Sequence, residues 1–305
     1  MSYFTTILRN AFIAIFVGAA LFPANTMAES VQISDQNGLK LNANLVLADG
    51  ASIAGDIVLI THGTLAHNKM EIIVAMQDLL AERGISSLAP TLSLGVSDRS
   101  GMYDCAVPHT HKHSDAMLEI GQWLEWLQTK GAKNVILAGH SRGGNQTAWF
   151  AAREPNPIVS KVILVAPATY DAKKAAQGFE KNHKRPLAGA MTEAKAMIDG
   201  GNGQKFMKGV GVLYCPGADV RAESFVDYYE NDDRRHTPNL MAMIGKPVLV
   251  IAGSEDTVVE GLIDATKPLV DAGKVEMVIV DGAGHFFRDL YAEDMADAME
   301  EFINR

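Results

Sequence analysis

The sequence predicts an α/β fold: a mostly parallel sheet of the eight-stranded type, flanked by helices on both faces, with one insertion between its sixth and seventh strands. Three observations predict it. Short apolar runs alternate along the chain with stretches of helical spacing. Those runs are continuous, as in strands covered on both faces. One segment, residues 170–239, breaks the rhythm: it has no clear buried strand and is rich in Lys, Gly, Met and Asp. It far exceeds an ordinary connection, and so reads as a cap inserted into a core of residues 29–169 and 240–305.

Residues 31–34 and 39–47 alternate apolar and polar side chains and meet around Asn37-Gly38, which predicts an antiparallel pair. Residues 56–60 form a buried strand running into His62-Gly63. Residues 70–83 carry Ile72, Ile73, Met76, Leu79 and Leu80 at helical spacing and stop at Gly84. Residues 86–92 are a weaker strand. An amphipathic helix over 114–130, closed by Gly131, leads to a strand at 134–138, and 146–153 continue the helix behind it. Strands at 162–165, 247–252 and 275–280 and helices at 258–272 and 289–303 complete the core.

At 305 residues, 48% hydrophobic and with a formal net charge of −9, the chain can bury a substantial core and offers no basic footprint for nucleic acid. Residues 1–28 read as an export signal: Arg9, an apolar run over 11–22, Pro23, then Thr26 and Ala28 at the positions a signal peptidase reads. The run is shorter than the roughly 20 residues that span a bilayer. The mature chain is therefore expected to start near Glu29, periplasmic or secreted, with no stable membrane insertion; an uncleaved N-terminal anchor is the alternative. Cys105 and Cys215 either pair in that oxidising compartment or are unrelated. The sequence sets no oligomeric state.

The strand at 134–138 runs into Gly139-His140-Ser141-Arg142-Gly143-Gly144. In G-x-S-x-G after a buried strand, the serine sits on a strained strand-to-helix turn, and the glycines let neighbouring backbone pass without Cβ clashes. The helix behind it points N–H groups at the serine, which suits developing negative charge. Gly253-Ser254-Glu255-Asp256 follows the strand at 247–252, and Gly282-Ala283-Gly284-His285 follows the strand at 275–280. Thr61-His62-Gly63-Thr64 ends the strand at 56–60.

With these four motifs in order, the chain resembles the α/β-hydrolase-fold serine hydrolases, in the esterase, lipase and serine-aminopeptidase branch with an H-G-x oxyanion turn. The resemblance covers the mature chain outside the cap. It implies the α/β-hydrolase fold and a triad in which Ser141 attacks a carbonyl carbon, His285 moves its proton and Asp256 orients the imidazole. Glu255 is a rival for the acid. Backbone N–H groups of Thr64 and Arg142 would bind the oxyanion, their side chains taking no part. His62 would fix the oxyanion turn by hydrogen bonding, and His140 would pack beneath the elbow. No cofactor and no metal is implied. The expected substrate is a small or medium soluble ester. The alternatives are an aminopeptidase or amidase, with Glu223, Asp227 or Glu230 anchoring a free amine, and a catalytically silent binding protein of the same fold.

Two features stand apart. His109, His111 and His113 alternate, as metal ligands on an extended segment would, but no carboxylate or thiol cluster completes them; a loop with one or two histidines at a pocket rim is expected. Over 171–208, eight Lys and Arg face four acids, either a solvated surface or a lid that steers an anionic substrate.

Overall fold

The computed structural model describes residues 27–305. The expected export signal lies outside them, apart from Met27 and Ala28, which open the first strand. β1 (Met27–Ser34) and β2 (Lys40–Leu47) form an antiparallel hairpin whose turn is closed by Asp35, its carboxylate accepting from the amides of Asn37 and Leu39. Then come β3 (Asp56–Thr61), α1 (Glu71–Glu82), β4 (Ser86–Thr91), α2 (Asp115–Thr129), β5 (Asn134–His140), α3 (Arg142–Arg153) and β6 (Val159–Val165). The segment that follows holds α4 (Ala172–His183), α5 (Leu187–Asp199), the two-residue strands β7 (Phe206–Met207) and β8 (Val220–Arg221), α6 (Ala222–Tyr229) and α7 (Thr237–Met241). β9 (Val248–Gly253), α8 (Leu262–Asp271), β10 (Glu276–Val280) and α9 (Leu290–Asn304) end the chain.

The eight-stranded sheet runs β1-β2-β4-β3-β5-β6-β9-β10, antiparallel at β1·β2 and β2·β4 and parallel from there on. Continuous apolar strands divide their side chains between two cores by simple alternation. Ile57, Leu59, Val135, Leu137, Val162 and Leu164 pack with Trp123, Leu127 and Phe150 of α2 and α3. Their neighbours Val58, Ile60, Ile136, Ala138, Ile163 and Val165 pack on the other face with Met76 and Leu80 of α1 and Met295 and Met299 of α9. A one-residue slip in any strand would exchange the two sets.

Three expectations change. The serine-rich β4 is buried throughout, because its hydroxyls find partners: Ser86 Oγ accepts from the amide of Ala48, and Gln77 Nε2 donates to Ser87 Oγ. β10, apolar enough to read as an inner strand, is the sheet edge, with Val278 and Ile279 exposed. The helix expected from residue 258 starts at Leu262, because the amides of Val258 and Val259 bond the Asp256 carboxylate instead.

The segment between β6 and β9 buries its own apolar cluster, including Phe179, Ala190, Met207, Val220 and Phe225, which closes on Leu65, Leu92 and Tyr103 of the body. Cys105 and Cys215 are disulfide-bonded across 110 residues, with Cα atoms 5.2 Å apart. On the chain-entropy account, closing a loop of that length stabilises the fold by about 4.7 kcal/mol. His109 extends the β7·β8 ribbon: its amide donates to Asp219 O and its carbonyl accepts from Arg221 N. The histidine segment is thus stitched to the insertion.

Candidate active site

β5 ends in Ser141, whose φ of 57° and ψ of −123° no β-carbon-bearing residue adopts without cost. The surrounding backbone holds it there: the Ser141 amide donates to Val165 O, and its carbonyl accepts from Asn145 and Ala168. A Cβ on Gly139 would lie 2.5 Å from the Gly143 carbonyl oxygen, and one on Gly143 would strike the carbonyls of Thr61 and His62. The turn therefore exists only with glycine at both places.

Ser141, His285 and Asp256 are brought into one hydrogen-bonded line. Ser141 Oγ lies 3.0 Å from His285 Nε2, and His285 Nδ1 lies 2.8 Å from Asp256 Oδ2. Asp256 Oδ1 accepts from the amides of Val258 (2.7 Å) and Val259 (2.9 Å). Burial works to raise the Asp256 carboxyl, but the bonds from His285 and these two amides hold it below the usual carboxylate range. It is an anion here, so Nδ1–H donates to it and Nε2 is left to accept from Ser141. Glu255 points to solvent.

Thr64 and Arg142 flank Ser141, and among the described residues neither amide has an acceptor. The turn at Gly63-Thr64 touches the elbow, a Cβ built on Gly63 lying 3.3 Å from Ser141 Cβ. His62 pins the turn: its Nε2 accepts from the Leu92 amide, which leaves Nδ1–H to donate to Gly63 O (2.8 Å). The buried Arg99 ties the same region together, donating to Leu92 O, Ala66 O and Gly101 O. His140 Nε2 donates to the carbonyl of His285 (2.9 Å) and so fixes the loop carrying that imidazole.

Beyond the backbone amides expected at the oxyanion, the side chains of Arg142 and Thr64 are bonded to each other. Arg142 Nε donates to Thr64 Oγ1 (2.9 Å), one terminal nitrogen donates to His113 Nδ1 (3.1 Å), and the guanidinium lies over the Tyr228 ring. The side chain joins the Thr64 turn to the start of α3. Sequence alone gave no sign of this, nor of Arg99. Glu119 was findable: it sits with Ala116, Ile120 and Trp123 on the apolar stripe of α2, where a carboxylate needs partners, and it accepts from the Ser93 amide and hydroxyl.

His109, His111 and His113 are buried and engaged with protein. His109 Nδ1 and His111 Nε2 share a hydrogen bond of 3.0 Å, and His111 Nδ1 meets the Tyr228 hydroxyl at 2.8 Å. His113 Nε2 donates to Asn145 Oδ1. Among the described residues, no group of three His, Cys, Asp or Glu is arranged to hold a metal ion.

These rings are neutral. Burial, helped by the Arg99 charge, holds His62 near 3, and burial holds His140 near 3; burial holds His109 near 4 and, with Arg142 beside them, His111 and His113 well below the usual range. The unfolded chain takes up protons on all five as pH falls below about 6.5 while the fold refuses them, so stability present above that pH is lost on acidification. Glu119, pushed up to about 7 by burial, acts in the opposite sense. Five against one leaves a net loss of about 3 kcal/mol from about pH 7.5 to about pH 6. The urea midpoint is expected to fall accordingly; a midpoint that holds steady or rises would contradict the neutral buried set.

Two cavities lie at the elbow: Ser141 lines the first and its neighbour Arg142 the second, and they share Tyr214 and Val258. One, of about 270 Å³, is walled by Gly63, Ala66, Ile72, Ile73, Met102 and Phe286. The other, of about 640 Å³, has mixed polar and apolar walls and runs under α4, with Arg142, Arg235, His113 and Tyr228 among its lining residues. The acids suggested as an amine anchor line neither. Glu223 pairs with Lys112, Glu230 with Lys195, and Asp227 accepts from Ser114.

A parallel sheet covered on both faces, whose central strand ends in a strained serine facing a histidine from beyond the last strand, defines a class of proteins. The chain belongs to it: residues 57–301 match the alpha/beta hydrolase family. No curated protein sequence matches the chain significantly. Among solved structures, the fold is similar to Est1E from Butyrivibrio proteoclasticus, at 20% identity and a TM-score of 0.62 over 90% of this chain and 97% of that one. It is also similar to an esterase of Pyrococcus furiosus (18%, TM-score 0.60, 92% of each chain). The esterase domain of a Rhodothermus marinus protein gives 15% identity and a TM-score of 0.59, over 92% of this chain and 98% of that one.

Proposed function

We propose that the protein is a serine hydrolase that cleaves carboxylic esters of small or medium soluble substrates through an acyl-enzyme on Ser141. The observation that carries the reading is the Ser141–His285–Asp256 hydrogen-bonded line beside two amides with no acceptor. Ser141 Oγ attacks the ester carbonyl as His285 Nε2 takes its proton, and the imidazolium that forms is stabilised by Asp256. The amides of Thr64 and Arg142 bind the oxyanion, each worth about 3 to 4 kcal/mol where such donors have been removed. His285 returns the proton to the leaving alcohol, and water repeats the sequence to release the acid.

Ester hydrolysis is favoured over aminopeptidase action because the carboxylates available to hold a free amine are engaged elsewhere. The structural neighbours support it by analogy: two are named as esterases, and one structure of Est1E holds ferulic acid. We further infer an exported protein, cleaved near Ala28; the Cys105–Cys215 bridge supports an oxidising compartment. Among the described residues, no helix is long and apolar enough to cross a membrane.

A fluorophosphonate probe is the direct test. The purified protein is expected to take up one equivalent, on Ser141 by peptide mapping; absence of labelling would favour the silent binding protein.

A further inference from the structure

The larger cavity holds a charge that the reaction does not use. Arg142 and Arg235 both line it, and among the described residues neither forms an ion pair; Arg99, Arg153 and Arg221 are also without one, whereas Arg83, Arg185, Arg234, Arg288 and Arg305 are paired. Their known partners are neutral. Arg142 bonds Thr64 Oγ1 and His113 Nδ1, and Arg235 bonds the Tyr228 carbonyl. One terminal nitrogen of each, and the buried Nε of Arg235, have no acceptor among the described residues. Arg235 is 8% exposed. A cation so placed is costly unless an anion meets it.

The carboxylates around this cavity do not supply that anion. Asp171 and Glu260 sit on its exposed rim, the first capping α4 and the second paired with Lys174. Asp232 chelates Arg234 and Asp227 holds Ser114. Burial, then the Arg142 charge, works against the Arg235 guanidinium, and Asp227 and Asp232 nearby offset it only in part, since its shift is downward. The basic stretch over 171–208, read from the sequence as either a solvated surface or a lid, is half neutralised: Lys174, Arg185, Lys195 and Lys208 are ion-paired. Unmatched positive charge lies on the wall next to Ser141 instead.

We propose that this cavity is the subsite for a carboxylate carried by the substrate, bound by Arg142 and Arg235, so that the enzyme acts on esters bearing a free acid group, such as half-esters of dicarboxylic acids. The guanidinium fork matches a carboxylate in two-point contact, and about 640 Å³ holds a medium-sized ligand. Because Arg142 also joins Thr64, an anion drawn onto it is delivered beside the oxyanion turn. The proposal rests on Ser141 chemistry for turnover but not for binding.

The test separates the two. Monomethyl succinate, adipate and suberate are compared with the corresponding dimethyl esters in a pH-stat, and adipate binding to Ser141→Ala is measured by calorimetry. Wild type is expected to favour at least one half-ester in kcat/KM. Arg235→Gln should cut that preference, and adipate binding, by about 10- to 100-fold, with Arg235→Lys intermediate and wild-type binding weakening as salt rises. Equal loss on half-esters and diesters would make Arg235 a structural residue and overturn the proposal, as would a wild-type preference for the diesters throughout. Should no ester turn over, salt-sensitive adipate binding that Arg235→Lys weakens less than Arg235→Gln still upholds the subsite. Absence of binding then refutes it, independently of the ester reading.

Discussion

Ser141→Ala is expected to lower ester turnover by about ten-thousand-fold or more while leaving the urea midpoint within about 0.5 kcal/mol of wild type. The loss is large because the proposed mechanism makes the Oγ the nucleophile and nothing nearby replaces it. The small change in stability follows from what holds the turn. The strained φ of 57° is fixed by the bonds from Ser141 N to Val165 O and from Asn145 and Ala168 to its carbonyl, and by the glycines around it. None uses the hydroxyl, whose one partner is His285. Alanine keeps the turn and the oxyanion amides, so residual hydrolysis above the uncatalysed rate should persist. Turnover within tenfold of wild type would exclude Ser141 as the nucleophile.

The central strands and the order of the motifs were legible because each depends on local sequence. A continuous apolar run must be buried on both faces, and an elbow needs glycine wherever backbone passes backbone, as at Gly139 and Gly143. What escaped was set by contacts between distant parts of the chain. Arg142 reads as the ordinary x of G-x-S-x-G; its role comes from Thr64, 78 residues earlier in the chain, and His113, 29 earlier. Arg235 lies in a run of charges that looks solvated, yet it is buried, with its guanidinium on the Tyr228 carbonyl of α6. Alternation at 109, 111 and 113 allowed a ligand set but a loop was expected; in the fold all three are buried, with His111 bonded to Tyr228 of the insertion and His113 to Asn145 of α3. The edge position of β10 is invisible for the same reason: Val278 and Ile279 are as apolar as inner-strand residues.

The acid is the sharper case, because Asp256 and Glu255 are adjacent. Glu255→Gln is expected to leave kcat/KM within about threefold, since the side chain faces solvent. Asp256→Asn is expected to cost about ten-thousand-fold in kcat, by a route the geometry dictates. Asp256 Oδ1 is held by the amides of Val258 and Val259, which demand an oxygen. An asparagine must give them its carbonyl, which turns its NH2 toward His285 Nδ1. That ring nitrogen must then accept, the imidazole proton moves to Nε2, and Nε2 can no longer take the proton of Ser141. The fold should persist, because the loop amides keep their acceptor and Asn is nearly isosteric. Losing the carboxylate also removes the charge that stabilises the imidazolium, so raising the pH should restore little activity. If Glu255→Gln carried the larger loss, the acid would be Glu255 and the 2.8 Å contact from His285 to Asp256 would be incidental to turnover.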